Sequence, residues 1–301
     1  MVNHLYIIGN GFDKHHDIPS GYLDYRNWLE KNECWDIIET IDNTFGYTDD
    51  DWWRHFEENL ASAETLRIAT EEAFQNYPNI GSDDFRDRDW YVAELSVERK
   101  MEKAYNDIQE SFHKWVMQLP NGNVDKKIRI HKDDAIFMSF NYTNTLEYLY
   151  GIPPERILYI HGKAGSDEEL ILGHGLTSAE IEKRMGERID EGDYVNQRAK
   201  DAAVSCVSDH KKDVKNIIEK NNKWFSSLSS IKDIHIYGHS LGDVDLPYYR
   251  KIFKCVNNRN NLHLEISDYE NKNTDVICQF MKKSHFGKDQ YSIVELSELV
   301  V

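Results

Sequence analysis

The amino-acid sequence predicts an α/β fold with a mainly parallel sheet covered by helices on both faces. Three observations lead there. Short apolar runs recur along the chain and break at once into glycine-containing turns. Helical spacing fills the stretches between those runs. One long stretch, residues 30–125, loses strand signals altogether and reads as a helical insertion. With 301 residues, 40% of them hydrophobic, the chain has apolar material for a sizeable core. We read residues 1–301 as a single α/β domain that carries the insertion.

The first run is Leu5, Tyr6, Ile7 and Ile8, broken at Gly9-Asn10-Gly11-Phe12-Asp13. A buried strand followed by a glycine-rich turn is how nucleotide-binding α/β folds begin. Ser20 is placed to cap a helix with Tyr22, Tyr25 and Leu29 on one face. Inside the insertion, Trp53, Phe56, Leu60 and Ala63 recur at helical steps, as do Met101, Tyr105, Ile108, Phe112, Trp115 and Leu119. These stripes read as packing. The acidic run Asp49-Asp50-Asp51 suits a helix N-terminus, and residues 79–89 read as a loop.

Strand signals return at Ala135–Phe140, followed by a helix that starts at Asn144 with Glu147 in capping-box spacing and ends at Gly151. Further strands are expected at Ile157–Ile160, Leu170–Leu172, Ile234–Tyr237, Leu262–Ile266 and Tyr291–Leu296. Helices are expected over 178–230, after Asp245 with Tyr249, Ile252, Phe253 and Val256 inward, and over 274–283. Lys211, Lys212 and Lys215 read as a solvated helix face.

Charge and cysteine usage narrow the function. There are 36 Lys+Arg against 53 Asp+Glu, a formal net charge of -17, which speaks against general nucleic-acid binding. No apolar run approaches the roughly 18 residues of a membrane span, and Met1–Asn10 lacks the pattern of a signal peptide. Cys34, Cys206, Cys255 and Cys278 never form C-x-x-C, which fits a reducing cytoplasm and excludes a cysteine-built zinc ribbon. No metal is expected.

The polar candidates share a position. Asn10, Asp13, Asn141, His161, His174, and His239 with Ser240 each follow an expected strand. In a parallel sheet those ends line one edge, where open α/β sheets bind ligands. Gly9 and Gly11 either let a phosphate approach the backbone or simply make a tight turn. Asp13 either binds a ribose hydroxyl or caps a helix. His161 has the near-neutral titration that general-base work needs, with Asn141 positioning a water or a hydroxyl. His15-His16 reads as a turn and not as a metal pair. Gly238-His239-Ser240-Leu241-Gly242 also matches G-x-S-x-G, the nucleophile elbow of serine esterases, with Asp268 and His285 following in order. Against that reading, Gly242, Asp243, Asp245 and Pro247 delay the helix that an elbow requires.

Five segments together resemble the bacteriophage abortive infection AbiH family. They are Ile7–Asp13, Ser139–Thr143, Ile160–Gly162, Gly173–Gly175 and Tyr237–Leu241 through Asp245. That family is in turn similar to SIR2-like NAD-binding domains, which implies a Rossmann-like fold and a role in anti-phage defence. The resemblance implies NAD as ligand or substrate. Asn141 and His161 would form the NAD-cleaving pair. Gly9, Asn10, Gly11, Phe12 and Asp13 would lie at the dinucleotide, with Thr143, His174, Gly238, His239, Ser240 and Asp245 completing the pocket. Thr143 stands where SIR2-like domains carry an Asp, and the Gly-Asn-Gly turn replaces Gly-Ala-Gly. The four-cysteine zinc module of sirtuin deacetylases has no counterpart here. The expected activity is therefore hydrolysis of NAD to nicotinamide and ADP-ribose, with a non-catalytic nucleotide sensor and a Ser240 esterase as alternatives. Expected partners are a small nucleotide, and a phage trigger protein or further copies of the chain.

Overall fold

The computed structural model describes residues 2–166, 170–184, 193–269 and 273–301. The part of the helical expectation for 178–230 that falls on 185–192 lies outside the described residues. By contact density the chain divides into two compact units. The first comprises Met1–Gly21, Val116–Ile171 and Asp213–Val301, and the second Tyr22–Trp115 and Leu172–Lys212.

The first unit is built on six strands: β1 (His4–Ile8), β2 (Ala135–Ser139), β3 (Ile157–Tyr159), β4 (Asp233–Tyr237), β5 (His263–Ser267) and β6 (Tyr291–Val294). Their order is β3-β2-β1-β4-β5-β6 and every pairing is parallel. This is a doubly wound, Rossmann-like order. Strands run outward from β1 in one direction and restart beside it at β4, so the order reverses between β1 and β4.

Strand periodicity explains the two cores. Leu5 and Ile7 of β1 join Ile234 and Ile236 of β4 and Leu264 and Ile266 of β5 on one face. That face packs on Tyr248, Tyr249 and Ile252 of the helix Leu246–Cys255 and on Ile277 and Phe280 of the helix Thr274–Lys283. Tyr6 and Ile8 alternate to the other face, with Phe137 of β2 and Tyr237 of β4. Leu146, Leu149 and Tyr150 of the helix Thr145–Tyr150 cover that side. That helix ends as expected at Gly151, left-handed at φ 65°. Its first turn differs: no side-chain cap is made at Asn144, because Glu147 instead accepts from the Tyr159 hydroxyl and pairs with Lys163.

One expected strand is absent. Residues Leu170–Leu172 form none, because the apolar run folds back on the turn after β3: the Ile171 N–H donates to the His161 carbonyl at 2.9 Å. The ladder partner that a further strand would need is thereby taken.

The second unit is helical. Most of the stretch 30–125 lies in it, together with Leu172–Lys212. Its aromatic stripes are packing. Tyr25 is fully buried against Trp53, Phe56, Phe112 and Trp115, and its hydroxyl meets Ser111 Oγ at 2.6 Å. The Asp49 carboxylate caps the helix Asp50–Arg54 by accepting the Trp52 N–H. Lys212 departs from the solvated face expected for it. Its side chain is buried and its Nζ lies 2.6 Å from Glu57 Oε2. A buried cation is tolerated only with such a partner. No helix among the described residues is long and apolar enough to cross a membrane.

Removing that cation leaves a carboxylate in a poorly solvated site. Lys212→Ala is expected to destabilise the chain by about 3 kcal/mol, and the double change Lys212→Met with Glu57→Met by much less. Urea unfolding of the two variants checks this.

Candidate functional site

The turns after β1 and β4 meet at the point where strand order reverses. The Gly9 N–H donates to the Tyr237 carbonyl at 2.9 Å, and the Gly11 N–H to the Gly238 carbonyl at 2.7 Å. The approach is so close that side chains are forbidden on both sides. A Cβ at Gly9 would lie 2.6 Å from the Gly238 oxygen, and one at Gly11 2.8 Å from the Gly238 Cα. A Cβ at Gly238 would meet the Phe12 nitrogen at 2.0 Å, and Gly238 adopts a left-handed φ of 67°. Its N–H is held by Ser267 Oγ of β5 at 2.8 Å. These glycines thus serve the contact between two turns, and the Gly11 amide is already engaged.

Polar side chains tie the turn after β2 into the same cluster. Asn141 Nδ2 donates to the Gly9 carbonyl at 3.0 Å. Asp13 is buried just beyond, accepting from Thr143 Oγ1 at 2.6 Å and Thr145 Oγ1 at 2.8 Å. Asp13 lies within the short helix Asn10–His15, and both bonds come from side-chain hydroxyls of the segment that opens the helix Thr145–Tyr150, so it caps neither helix. Asn10 opens the short helix Asn10–His15, and its Oδ1 accepts from the Ser20 hydroxyl. Phe12 is core.

The turns after β3 and β4 bring two histidines to Phe140, the last residue before Asn141. The Phe140 ring lies edge-on to His161 at 5.3 Å between centroids and to His239 at 4.3 Å. Tyr142 and Tyr248 also flank His161, at 6.4 and 6.2 Å. Both residues that bracket Asn141 therefore pack on His161, which is buried. His239 is oriented from both sides. Its Nδ1 accepts the Leu241 N–H at 2.9 Å, which places the proton on Nε2, and that atom faces Asp245 Oδ2 at 3.4 Å. Leu241 takes a left-handed φ of 58°, a strain of the kind often held at ligand sites. Ser240, next to it, is exposed.

The remaining candidates fall elsewhere. His174 belongs to the second unit, where its Nδ1 accepts the Leu176 N–H and its Nε2 meets the Val207 carbonyl at 2.8 Å. His15 and His16 turn to different partners. His16 bridges the Phe12 carbonyl and the Tyr150 hydroxyl, and burial pushes its pKa down to about 4. His15 meets the Lys126 carbonyl. The residues of a Ser240 esterase do not assemble. Asp268 accepts from the Asn273 N–H and the Thr274 hydroxyl at the start of the helix Thr274–Lys283, and His285 lies past its other end. Ten helical residues separate them by about 15 Å. The strained residue after β4 is also Leu241 and not the serine.

Phe140, Tyr248 and Ser267 are the site residues that sequence reading passed over. Phe140 and Ser267 both sit at a strand's carboxyl end, the signal that would have found them. Tyr248 had none beyond its place on the helix after β4.

Two outcomes follow. Gly238→Ala should destabilise by about 3 kcal/mol or more, since strain at positive φ adds to a backbone clash; thermal unfolding measures it. Burial raises the Asp13 carboxyl from 3.8 to about 6, against the pull of Thr143, Thr145 and Asn141. A carboxyl raised on folding binds its proton more tightly in the folded state. Its stabilising contribution is therefore full below pH 3.8 and is lost as pH rises through 6. Asp13→Asn should remove that decline, worth on the order of 2–3 kcal/mol, from unfolding curves recorded between about pH 4 and pH 7.

Comparison with curated proteins finds no match. The sequence profile described as bacteriophage abortive infection AbiH matches residues 5–266, from β1 into β5, and so takes in all four of these turns. The chain belongs to the bacteriophage abortive infection AbiH family, and is an anti-phage abortive infection protein.

Proposed function

We propose that the cluster beyond the carboxyl ends of β1 to β4 binds a nucleotide of the NAD class and hydrolyses its nicotinamide N-glycosidic bond. The observation that carries this is the convergence on Phe140 and Asn141. One ring touches both His161 and His239, and the neighbouring amide reaches the β1 turn. The reversal of strand order puts this cluster where parallel α/β sheets take their ligands.

In this reading His161 takes a proton from water. The water oxygen bonds to the anomeric carbon as the bond to nicotinamide breaks through an oxocarbenium-like state, and nicotinamide leaves neutral with the bonding electron pair. Asn141 holds the water or a ribose hydroxyl without changing charge. The aromatic walls Phe140, Tyr142 and Tyr248 keep the imidazole poorly solvated. His239, oriented by Asp245, with Ser240 and Thr143, supplies polar groups toward the ligand. Loss of NAD in an infected cell would arrest growth and block the phage.

A second reading, a nucleotide sensor without turnover, draws support from the internal bonds of Gly11 and Asn141. Groups already paired suit a site that is rearranged by binding.

Incubation of the purified chain with NAD, followed by chromatography, should release nicotinamide and ADP-ribose. His161→Ala should lower the rate by about 10²- to 10⁴-fold while leaving NAD binding by calorimetry largely intact. Equal rates in the variant remove His161 from the chemistry. Binding without products selects the sensor, and neither binding nor products rejects the nucleotide reading.

A further inference from the structure

The opposite edge of the sheet, where the strands begin, carries a second group of imidazoles. His4 opens β1, His235 lies in β4 and His131 precedes β2. Each offers a ring nitrogen, and the three nitrogens lie within 4.8 Å of one another. Parallel register makes the arrangement. His4 and Tyr6 alternate to one face of β1, and Asp233, His235 and Tyr237 to the same face of β4, so Tyr6 pairs with His235 and His235 with Glu265 of β5.

We propose that His4, His131 and His235 bind one divalent transition-metal ion of the zinc class. Glu265 holds His235 Nδ1 at 2.9 Å, so the proton resides there and the Nε2 lone pair points toward His4 Nδ1, 3.1 Å away. Two nitrogens on a tetrahedral zinc, each about 2.0–2.1 Å from the ion, stand roughly 3.3 Å apart. The observed pair is close to that spacing. A carboxylate behind a ligating imidazole is the usual support of such a ligand. Glu265 is itself fixed by the Tyr237 hydroxyl, and the Tyr6 ring stacks on His235 at 4.2 Å.

Charge favours a cation. Asp233 lies 3.8 Å from His4 Nδ1, on the side of the ion, and stands ready as a fourth ligand or as an anchor for a bound water, while Asp134 lies 3.8 Å from His4 Nε2 and backs the imidazole from its other side. His131 stacks flat on His4, with centroids 4.0 Å apart, and is exposed. Its ring turns out of that stack to complete the site, and its exposure gives the ion a way in. Three imidazoles select zinc, copper, nickel or cobalt over magnesium or calcium. The sequence reading weighed metal at the cysteines and at His15-His16, whereas His4 and His235 are far apart in sequence and meet only because β1 and β4 are neighbours. The site lies at the other end of the strands from the loop cluster and does not depend on its chemistry.

The test uses the full chain, stripped with a chelator and dialysed. Titration with zinc chloride by calorimetry should show one ion per chain, and bound cobalt should give the strong visible bands of a four-coordinate site. Zinc should raise the unfolding temperature, since it binds only the folded arrangement. Glu265→Gln should weaken zinc binding by about 10- to 100-fold, and His131→Ala by more. His131 is exposed, so its variant should unfold at the wild-type temperature in the absence of metal. Absence of stoichiometric zinc overturns the proposal, as does unchanged affinity in His131→Ala, which would place the ion on other side chains.

Discussion

The backbone of the turn after β1 lies directly on the backbone of the turn after β4, and the loop cluster depends on that contact. Gly9, Gly11 and Gly238 admit it because none carries a Cβ. It fixes the height at which the two central strands end. It also leaves the Gly9 carbonyl facing the β2 turn, where Asn141 takes it. Asn141 in turn places Phe140 and Tyr142, and these rings set His161. Replacing any of the glycines would part the two turns and move each later member of the chain.

Much of this order was legible in the sequence because strand and turn chemistry are local. The apolar runs Leu5–Ile8, Ala135–Phe140, Ile234–Tyr237 and Leu262–Ile266 are strands to within a residue at each end, and the helix ending at Gly151 has the expected left-handed stop. Where local patterns misled, a distant partner decided. Lys212 looked solvated because its neighbours in sequence are lysines, but Glu57 buries it. Leu170–Leu172 looked like a strand because it is apolar, but the carbonyl of His161 takes its amide. The capping-box spacing at Asn144 and Glu147 was present, yet Lys163 and Tyr159 compete for the carboxylate.

The site follows the same rule. That Asn141, His161 and His239 lie at strand ends could be read from the turns. That one phenylalanine joins two of them depends on the strand order β3-β2-β1-β4, which no local pattern encodes. The glycines were open to two explanations from sequence, and the close approach of the two turns needs them whichever holds. Asp13 illustrates the wider point. A carboxylate beside a glycine-rich turn invites a ligand, but two threonine hydroxyls from a segment some 130 residues away occupy it.

The strand order also bears on how the chain comes to be folded. β1 precedes the other five strands of the sheet in sequence, yet it lies in the middle of the sheet, and its neighbours begin only at Ala135 and Asp233. Most of the helical residues are made in between. After Ile8, 126 residues are made before β2 begins at Ala135 and 224 before β4 begins at Asp233, so one side of this apolar strand waits far longer than the other. Non-local pairing of this kind slows folding and exposes edges that aggregate. At the usual pace of translation the delay is on the order of tens of seconds. During that interval Leu5–Ile8 lacks its β4 partner, so the topology itself leaves one side of β1 open to mispairing until Asp233–Tyr237 is made.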